Sequence, residues 1–547
     1  MKNFKRIASV FIVVITLTLI LAGCNNTKSA NSNETTDAYV MDSNLNSLGE
    51  FPICKETVEL KIMMEQNSNI IDMYTNKLTK KLEEYGNVKL SFDLVPTADI
   101  TTKINLMMNS GGANMPDIII STLNNAQIVS YGDQGMLVPL NKYYENSSYY
   151  LKSGMDRIPE KNILKQLTTA DGNIYSIPRY QEALATEFNN VMWIYKPWLE
   201  KLSLPMPKTL EEYRSVLKAF KENDMNGNGD MTDELPLADD KTYNAFNVLM
   251  NTFINFRASV NYLSVENGKL TFAYADDRWK EGLKYIKALV SDGLFTPVSF
   301  TMTNDQLRTI AASEDNKLGS FAWASPSMIP ASTGRQADYG LLLLSGPDGL
   351  NNIDYKTPDP IPTFFITKNC KNPETAFRLG DLMCSEEITI WNRWGEKGVD
   401  WKEPAEGTTS LYDFLGYPAL IEPILAWGSP QNAHWYNLGP VFRTYEISAG
   451  ALDGVDAAQL VKAEAVKELL NHIPKETIRP IIFTKEELEE YNEVVQIMLS
   501  YANERRLAFV TGTEDIDSGW DKYISELKNI GLDRATQLAQ TAYDRAK

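Results

Sequence analysis

The sequence predicts an α/β fold, because strand-like and helix-like patterns alternate through residues 58–120. Residues 58–62 alternate between apolar and polar side chains, which is typical of a strand, and residues 70–85 have the apolar spacing of an amphipathic helix. A second strand is predicted at 88–94, a helix start at Asp99-Ile100 and a short buried strand at 116–120. This β-α-β-α-β order indicates strands that share one sheet with helices packed against it.

The rest of the chain continues this mixture over a length that exceeds one typical domain. Helices are predicted at about 210–223, 242–255, 277–291 and 373–384, strands at 319–323, 339–344 and 362–367, and mostly helix from residue 462 onward. At roughly 100–200 residues per domain, a chain of 547 residues with 43% hydrophobic residues is expected to build more than one core.

The start of the chain predicts export and a lipid anchor. A basic beginning precedes an apolar segment at 10–21, which is shorter than a membrane span of roughly 20 residues and suits a secretory signal. Leu-Ala-Gly-Cys at 21–24 resembles the lipobox of bacterial lipoproteins. Cleavage would therefore remove the signal peptide at 1–23, and lipidation of Cys24, for example with palmitate, would hold the protein on the outer face of the cell membrane.

The segment after the signal peptide predicts a spacer, and the cysteines fit export. Residues 25–50 are rich in Asn, Ser and Thr, so a flexible tether is predicted at 24–54, with ordered structure beginning near Val58. Apart from the lipidated one, the cysteines are Cys54, Cys370 and Cys384. Their odd number leaves the disulfide pairing open, and the absence of any CxxC gives no support to a zinc or redox site.

Charge and histidine content disfavour several classes of function. The full chain carries a net charge of −18, and loss of the signal peptide, which has three basic and no acidic residues, makes the mature chain still more acidic. Such a surface argues against nucleic acid as a partner. The only histidines are His434 and His472, which disfavours a His-based triad or a His-rich metal centre. A carboxylate-only enzyme is not excluded by this count.

Ten short segments of the sequence indicate a protein family by their order and spacing, although each of them alone is a weak signal. They are MPDI at 115–118, GNIYSIP at 172–178, WLEKL at 198–202, PKTLEEY at 207–213, DMNGNGD at 224–230, GPDG at 346–349, KNPE at 371–374, RWGEKGVDW at 393–401, FTKEE at 483–487 and AYDR at 542–545. Together they resemble the family 1 extracellular solute-binding proteins, the sugar-capturing lipoproteins of ATP-driven importers. The most similar subgroup is the large one that includes the alginate-oligosaccharide-binding proteins.

This resemblance implies a two-lobed periplasmic-binding-protein fold of type II. Each lobe of such an α/β fold has a central sheet, a hinge joins the lobes, and the ligand lies in the cleft between them. Three crossings between the lobes are expected, near Pro178, Asp338 and Trp394. The predicted N-terminal lobe comprises residues 55–178 plus 338–393, and the predicted C-terminal lobe comprises residues 179–337 plus 394–547.

Candidate ligand-binding residues are aromatic and polar residues near these crossings and at strand ends. Aromatic rings can stack on the apolar faces of sugars, and ligands of open α/β sheets bind beyond the carboxyl ends of strands. The predicted set is Asn67, Asn124, Arg179, Tyr180, Trp323, Arg393, Trp394, Trp427, Asn432 and Trp435. The alternative for each aromatic residue is core packing, and for each polar residue a solvated loop.

The loop at 224–234 predicts a calcium site. Oxygen-bearing side chains alternate with other residues as they do at the start of an EF-hand loop, and such hard ligands suit Ca²⁺. The twelfth position holds Leu235 in place of the usual glutamate, and the resemblance implies that an adjacent Asp-Glu pair closes the loop instead. The candidate ligands are Asp224, Asn226, Asn228, Asp230, Asp233 and Glu234. A polar turn without metal is the alternative.

The resemblance implies capture of a carbohydrate, most simply an oligosaccharide, for an ABC importer by closure of the lobes, without catalysis. The expected partners are this ligand, the transmembrane subunits of the permease and the membrane, and the protein is expected to be a monomer. The alternative function is a secreted glycan-degrading lyase or hydrolase. It would need a clustered acid/base set, and the adjacent glutamates at 211–212, 386–387 and 489–490 point apart on predicted helices. Capture of a peptide or a metal on the same fold is a third hypothesis, and the low histidine content disfavours the metal version.

Overall fold

A computed structural model describes most of the chain after its first 38 residues. The described residues are 39–112, 114–242, 244–426, 428–452, 456–479 and 481–546. Within them, no helix is both long enough and apolar enough to cross a membrane. Residues 41–547 form one compact unit. The predicted signal peptide, Cys24 and Trp427 lie outside the described residues.

The strands of this unit build two large sheets and two hairpin-sized ones. They are β1 (Val58–Gln66), β2 (Val88–Pro96), β3 (Ile118–Ile120), β4 (Ser176–Gln181), β5 (Val191–Tyr195), β6 (Leu235–Leu237), β7 (Leu263–Glu266), β8 (Lys269–Phe272), β9 (Leu318–Trp323), β10 (Tyr339–Leu341), β11 (Ile361–Ile366), β12 (Trp401–Lys402), β13 (Glu422–Pro423) and β14 (Val441–Arg443). Every strand predicted from the sequence is present, although several of their ends differ. The α/β class is therefore confirmed.

The first large sheet has six strands in the order β14-β4-β11-β3-β1-β2. β1 pairs in parallel with β2 and β3, and β14 pairs in parallel with β4, whereas β11 is antiparallel to both β3 and β4. The carboxyl ends of β1, β3, β4 and β14 thus meet at one edge, beside the amino end of β11. We call this the carboxyl edge, because ligands of open α/β sheets bind beyond it.

The second large sheet has the order β10-β5-β9-β6 and is covered on both faces. β5 is antiparallel to β9 and β10, and β6 is parallel to β9. Successive residues of β5 point to opposite faces, so Trp193 packs in one core with Phe321 while Ile194 packs in another with Tyr213. Burial on both faces explains why β5 is an almost continuous apolar run.

Helices cover both large sheets. They are α1 (Lys77–Gly86), α2 (Ile100–Asn109), α3 (Asn125–Asp133), α4 (Asn141–Asn146), α5 (Tyr150–Asp156), α6 (Ile163–Leu167), α7 (Leu184–Glu187), α8 (Lys196–Lys201), α9 (Leu210–Lys221), α10 (Asn244–Met250), α11 (Asp277–Ser291), α12 (Asn304–Ala311), α13 (Pro373–Met383), α14 (Glu386–Trp394), α15 (Tyr445–Gly450), α16 (Ala457–Leu469), α17 (Lys485–Val510), α18 (Ile516–Ile530) and α19 (Leu532–Ala546). α9 and α17 both begin with a capping box, formed by Thr209 with Glu212 and by Thr484 with Glu487.

The chain passes from one lobe to the other three times. The first two passages connect the two large sheets, and the third leads from β14 to helices that pack on the second lobe. The first crossing, residues 182–190, connects β4 to β5 and begins just after the predicted Pro178, because β4 continues to Gln181. The second lies within 342–360, later than the predicted Asp338, because β10 pairs with β5 in the second sheet.

The third crossing follows Arg443 instead of lying near Trp394. The short β14 pairs with β4 in the first sheet, and α14, which ends at Trp394, packs against β14. The predicted lobes, 55–178 plus 338–393 and 179–337 plus 394–547, thus assign β10 and β14 to sheets in which the structure does not place them. Both strands have only three residues, too few for periodicity to reveal their partners.

Ordered structure begins earlier than Val58. Leu45 and Cys54 are buried, and the guanidinium of Arg378 on α13 donates to the carbonyls of Asn46 and Ser47, over 2.6 and 2.9 Å. The end of the predicted tether at 24–54 therefore packs on the first lobe. Its few apolar residues are too widely spaced to predict this from sequence. The structure also answers the question of disulfide pairing, because Cys54, Cys370 and Cys384 are all free, buried thiols.

Candidate functional site

A cavity of about 690 Å³ lies between the carboxyl edge of the first sheet and the core on one face of the second. Its size falls in the range of roughly 300–1,000 Å³ that is usual for ligand pockets. We call it the interlobe cavity. Its lining is Asn124, Asn125, Ala126, Arg257, Ser259, Val260, Asn261, Asp359, Arg479, Ile481, Phe483, Leu488, Tyr491, Asn492 and Gln496.

The first lobe contributes the loop that follows β3. Asn124 is the N-cap of α3, where its side chain accepts from the amide of Gln127 over 2.9 Å. The next residue, Asn125, donates through Nδ2 to the carbonyl of Ile481 over 3.3 Å. Lys485 at the start of α17 forms an ion pair with Asp133 at the end of α3, with 2.8 Å between Nζ and Oδ2. These contacts join the two walls of the cavity on one side.

The second lobe and the second crossing supply the opposite wall. Arg257 donates through Nη1 to Oδ2 of Asp359 and to the carbonyl of Ile478, each over 3.2 Å. Asn261 donates to the hydroxyl of Tyr491 over 3.2 Å. Amide, guanidinium, carboxylate and phenol groups therefore surround the same space. Such a lining can exchange many hydrogen bonds with a polyhydroxylated ligand.

Two further basic side chains lie beside this wall. Arg179 on β4 is half-buried, and burial lowers the pKa of its guanidinium while Glu65 acts against that shift. The pKa of Lys356 is also lowered, first by the surrounding protein and then by the neighbouring guanidinium groups of Arg257 and Arg179. Asp359 acts in the opposite direction. Several positive charges thus gather where the second crossing meets the carboxyl edge.

A separate set of buried groups ties the three crossings together, and we call it the crossing network. Glu187 in the first crossing accepts from the hydroxyl of Tyr445, which begins the third crossing, over 2.7 Å, and from that of Tyr355 in the second crossing over 3.3 Å. Glu182 accepts from the hydroxyl of Tyr180 over 3.0 Å and pairs with Lys161 over 3.3 Å. Burial raises the pKa of Glu187 to about 7.

Four of the predicted ligand-binding residues keep accessible side chains. Asn67 is half-buried just after β1, and Asn124 and Arg179 lie at the interlobe cavity and on β4. Trp323 is half-buried at the end of β9, with the guanidinium carbon of Arg308 5.7 Å from its ring centre. These residues remain candidates for ligand contact.

Three predicted aromatic residues are buried and pack inside the protein. The ring of Tyr180 lies 5.1 Å from that of Phe442, between β4 and β14. The indole of Trp435 donates to Thr79 over 2.9 Å. Trp394 is covered by the guanidinium groups of Arg393 and Arg443, whose carbons lie 5.3 and 5.7 Å from its rings.

These contacts correct the expectation for those rings. Their faces are filled by other side chains, so Tyr180, Trp394 and Trp435 present no free surface for stacking in this structure, and Arg393 covers one of them. Asn432 is likewise engaged, because its Oδ1 accepts from the amide of Asp72 over 3.2 Å and its Nδ2 donates to Thr75 over 2.9 Å.

Sequence reasoning missed most of the cavity lining. Arg257, Asn261, Arg479 and Tyr491 carry no local motif, and they meet only because distant segments pack on one another. Asp359 did have a signal, since it stands between two prolines directly before a strand. Such a stiff loop at a sheet edge is a usual place for functional residues.

The 224–234 loop is ordered by its own side chains. Asp224 accepts from the amides of Gly227 and Gly229 over 2.7 and 2.9 Å, and Asn226 and Asn228 donate to Asp233 over 3.1 and 2.8 Å. The side chain of Asp230 accepts from the amide of Thr232. Asp233 forms an ion pair with Lys317 over 2.8 Å. Glu234 accepts from the amide of Met225 over 2.7 Å.

The fit of this loop to a cation rests on Glu234. Its second carboxylate oxygen, Oε2, is buried and has no hydrogen-bond partner among the described residues. A buried carboxylate oxygen without a partner is costly unless a cation binds it. Within the described residues, no three His, Cys, Asp or Glu side chains already converge as a metal-binding group. The donor chemistry fits calcium, and its binding would require the Asn226 and Asn228 amides to turn their oxygens inward.

Three relatives are similar to much or all of this chain. The family model for bacterial extracellular solute-binding proteins matches residues 77–391. The fructooligosaccharide ABC transporter substrate-binding protein FusA of Streptococcus pneumoniae is 27% identical over 100% of this chain and 98% of its own length. The polygalacturonan/rhamnogalacturonan-binding protein YtcQ and the lipoprotein LipO, both of Bacillus subtilis, are 28% and 26% identical over 68% and 61% of this chain, and over 72% and 65% of their own lengths.

Solved structures share the fold. FusA of S. pneumoniae in complex with kestose superimposes with a TM-score of 0.71, covering 89% of this chain and 99% of that protein at 24% identity. A FusA EF-hand mutant with fructo-nystose gives the same TM-score and coverage at 23% identity. An HMO-binding, ABC-transporter-associated solute-binding protein of Bifidobacterium longum infantis gives a TM-score of 0.74 at 21% identity, covering 89% of this chain and 99% of that protein.

Proposed function

This chain belongs to the bacterial extracellular solute-binding proteins, and on that premise we propose that it captures an oligosaccharide outside the cell and delivers it to an ABC importer. It is a binding protein and not an enzyme, in keeping with its relatives. The observation that carries the proposal is the likeness to FusA over essentially the full length of both chains.

The interlobe cavity is the proposed binding site. Its amide groups at Asn124, Asn261 and Asn492 suit sugar hydroxyls, and the phenol of Tyr491 offers a further polar group. Trp323 at the end of β9 is the proposed stacking ring, and Asn67 and Arg179 lie on the first-lobe side. Rotation about the three crossings would bring these groups onto one ligand.

Isothermal titration calorimetry with a panel of neutral and acidic oligosaccharides tests this function. Asn492→Ala removes a half-buried amide of the cavity that has no hydrogen bond in the described structure, at a helix position where alanine is well tolerated. We expect it to weaken binding about fivefold, the equivalent of one hydrogen bond. Glu493→Ala, the exposed neighbour on the same helix, is the matched control and should leave affinity unchanged.

Analysis of the sugars after incubation separates capture from degradation. Unaltered sugars together with a raised melting temperature support a binding protein. New reducing or unsaturated ends would contradict it and favour the glycan-degrading alternative. No binding and no product with any sugar of the panel would also contradict oligosaccharide capture.

We also propose that calcium binds the 224–234 loop in a structural role. Glu234 and Asp224 would hold the cation together with Asn226, Asn228, the carbonyl of Asp230 and Asp233. Support comes from the partnerless oxygen of Glu234. A chelator should lower the melting temperature of the wild-type protein but not of Asp224→Ala. An unchanged wild-type melting curve, with removal of the metal verified, would count against the site.

The third proposal places the protein on the membrane through Cys24. The chain is extracellular by family, and the lipobox-like sequence before Cys24 supports a lipid anchor. The anchored monomer would then present its ligand to the transmembrane subunits of a permease. Cys24→Ala should release the protein from washed membranes. Retention of this variant in the membrane fraction would contradict the anchor.

A further inference from the structure

Basic groups exceed acidic ones around the interlobe cavity. Arg257 is balanced by Asp359, and Arg179 lies close enough to Glu65 for their charges to interact. Lys356 and Arg479 are left over, since neither has an ion-pair partner among the described residues. This excess is the reverse of the whole chain, whose net charge is −18.

The fold gathers these residues from four distant segments. β4 and β11 pair so that Arg179 stands opposite Ile361, at the end of the short segment that carries Lys356 and Asp359. Asp359 holds Arg257, and the same guanidinium donates to the carbonyl of Ile478, which places Arg479 next in the chain at the cavity wall. The basic cluster is thus a product of strand register and of one half-buried ion pair.

Like charges held close together repel one another, and protein around them weakens their hydration. The pKa of Lys356 is lowered first by the surrounding protein and then by the neighbouring guanidinium groups, although its side chain is still exposed to solvent. Asp354 acts on Lys356 in the opposite direction but more weakly than the guanidinium groups do, and its own carboxylate accepts from Asn190 over 2.7 Å. A ligand with negative charge would relieve the repulsion on binding.

We infer that the ligand of the interlobe cavity is an acidic oligosaccharide, whose carboxylates are bound by Lys356, Arg179 and Arg479. This inference rests on the proposed function and adds the charge of the substrate. Guanidinium groups pair with carboxylates in a two-pronged geometry, and ammonium groups pair with them as point charges. The asparagines that line the cavity can then bind the hydroxyls of the sugar. The carboxylates and the hydroxyls of the ligand would thus be recognised by different side chains.

The test compares sugars that differ only in charge. Trigalacturonate, trimannuronate and triglucuronate serve as acidic probes, their methyl esters as neutral counterparts, and kestose as an unrelated neutral sugar. We expect at least one acid to bind at least tenfold more tightly than its own ester, with an affinity that falls as salt is raised. Because the salt series uses the wild-type protein, it does not depend on the folding of any variant.

Substitutions then assign the effect to the cluster. Lys356→Met should weaken binding of the acid about tenfold or more and leave the affinity for the ester unchanged. Lys371→Met, at an exposed lysine outside the cavity, is the matched control and should change neither affinity. Melting temperatures of both variants establish that each is folded.

The outcomes separate the inference from the proposed function. Equal affinity for acid and ester, or binding of kestose without binding of any acid, would overturn the acidic ligand while leaving oligosaccharide capture intact. An unchanged affinity for the acid in Lys356→Met would overturn the assignment to this cluster. Failure of every acid, ester and neutral sugar to bind would overturn both.

Discussion

The interlobe cavity and the crossing network both contain charged groups, but these groups differ in their exposure to solvent and in their hydrogen-bond partners. Lys356 and Arg479 are open to solvent and unpaired within the described residues, whereas Glu187 is almost fully buried and every one of its described partners is a hydrogen-bond donor. Lys356 and Glu187 both lie in segments that join the lobes. These two residues therefore differ in access to solvent and not in the kind of segment that carries them.

This difference separates residues that serve the fold from residues available to a ligand. A buried group whose hydrogen bonds are all made has no capacity left for a ligand, and its removal leaves its partners unsatisfied. An exposed group without partners contributes little to stability, and its interactions are still to be made. The comparison predicts that substitutions in the two places affect different measurements.

The largest expected effect is on stability in the crossing network. Glu187→Ala removes the acceptor of the Tyr445 and Tyr355 hydroxyls and of the amide of Ala183, so we expect a loss of about 3 kcal/mol in the free energy of unfolding. Lys356→Ala, the exposed counterpart, should change it by less than about 0.5 kcal/mol. Denaturant unfolding at pH 7 measures both, and similar effects of the two substitutions would break the comparison.

A second effect is the pH dependence of stability. The pKa of Glu187 is about 7 in the folded protein, and its ordinary value is 4.5, so between these values the folded state holds more protons than the unfolded state. The stabilising contribution is thus complete below pH 4.5 and is lost as the pH rises through 7, by about 2–3 kcal/mol.

Glu187→Gln should make this decline less steep than in the wild-type protein, and thermal unfolding of both proteins between pH 4.5 and 7 checks it. Titration of Lys462 does not interfere with this measurement. Its Nζ donates to the carbonyl of Phe188, and burial lowers its pKa to about 7 from 10.5, so its own contribution changes mainly above pH 7. An equally steep decline in the variant would show that Glu187 is not responsible for it.

The smallest effect distinguishes two tryptophans. Trp323→Ala should weaken binding of the oligosaccharide by about 1–3 kcal/mol, by analogy with other ring-stacking contacts, and should largely preserve the fold. Trp435→Phe should instead lower stability by about 1 kcal/mol, because it removes the hydrogen bond to Thr79, and leave affinity unchanged. Calorimetry measures the affinity of both variants, and denaturant unfolding measures their stability. A loss of binding in Trp435→Phe but not in Trp323→Ala would contradict the assignment of Trp323 to the ligand and of Trp435 to the fold.

Local patterns were reliable for elements and poor for the site. β1 and α11 were predictable because each carries a periodic apolar face over many residues. β10 and β14 have three residues each, and their sheets were predicted incorrectly. The sequence offered no way to tell the candidate tryptophans apart, yet Trp323 remains half-buried whereas Trp394 is enclosed by two guanidinium groups.

The sequence by itself determined the α/β class, the solute-binding family and the polar 224–234 loop, because these depend on short-range periodicity and on motifs read in order. Only the tertiary structure decided which charges meet. Arg179, Arg257, Lys356 and Arg479 are far apart in the chain, and strand register together with the Arg257–Asp359 pair brings two of them to the cavity wall and the other two beside it. Burial is likewise a property of packing, so the sequence could not show that Glu187 is enclosed while Lys356 stays open to solvent.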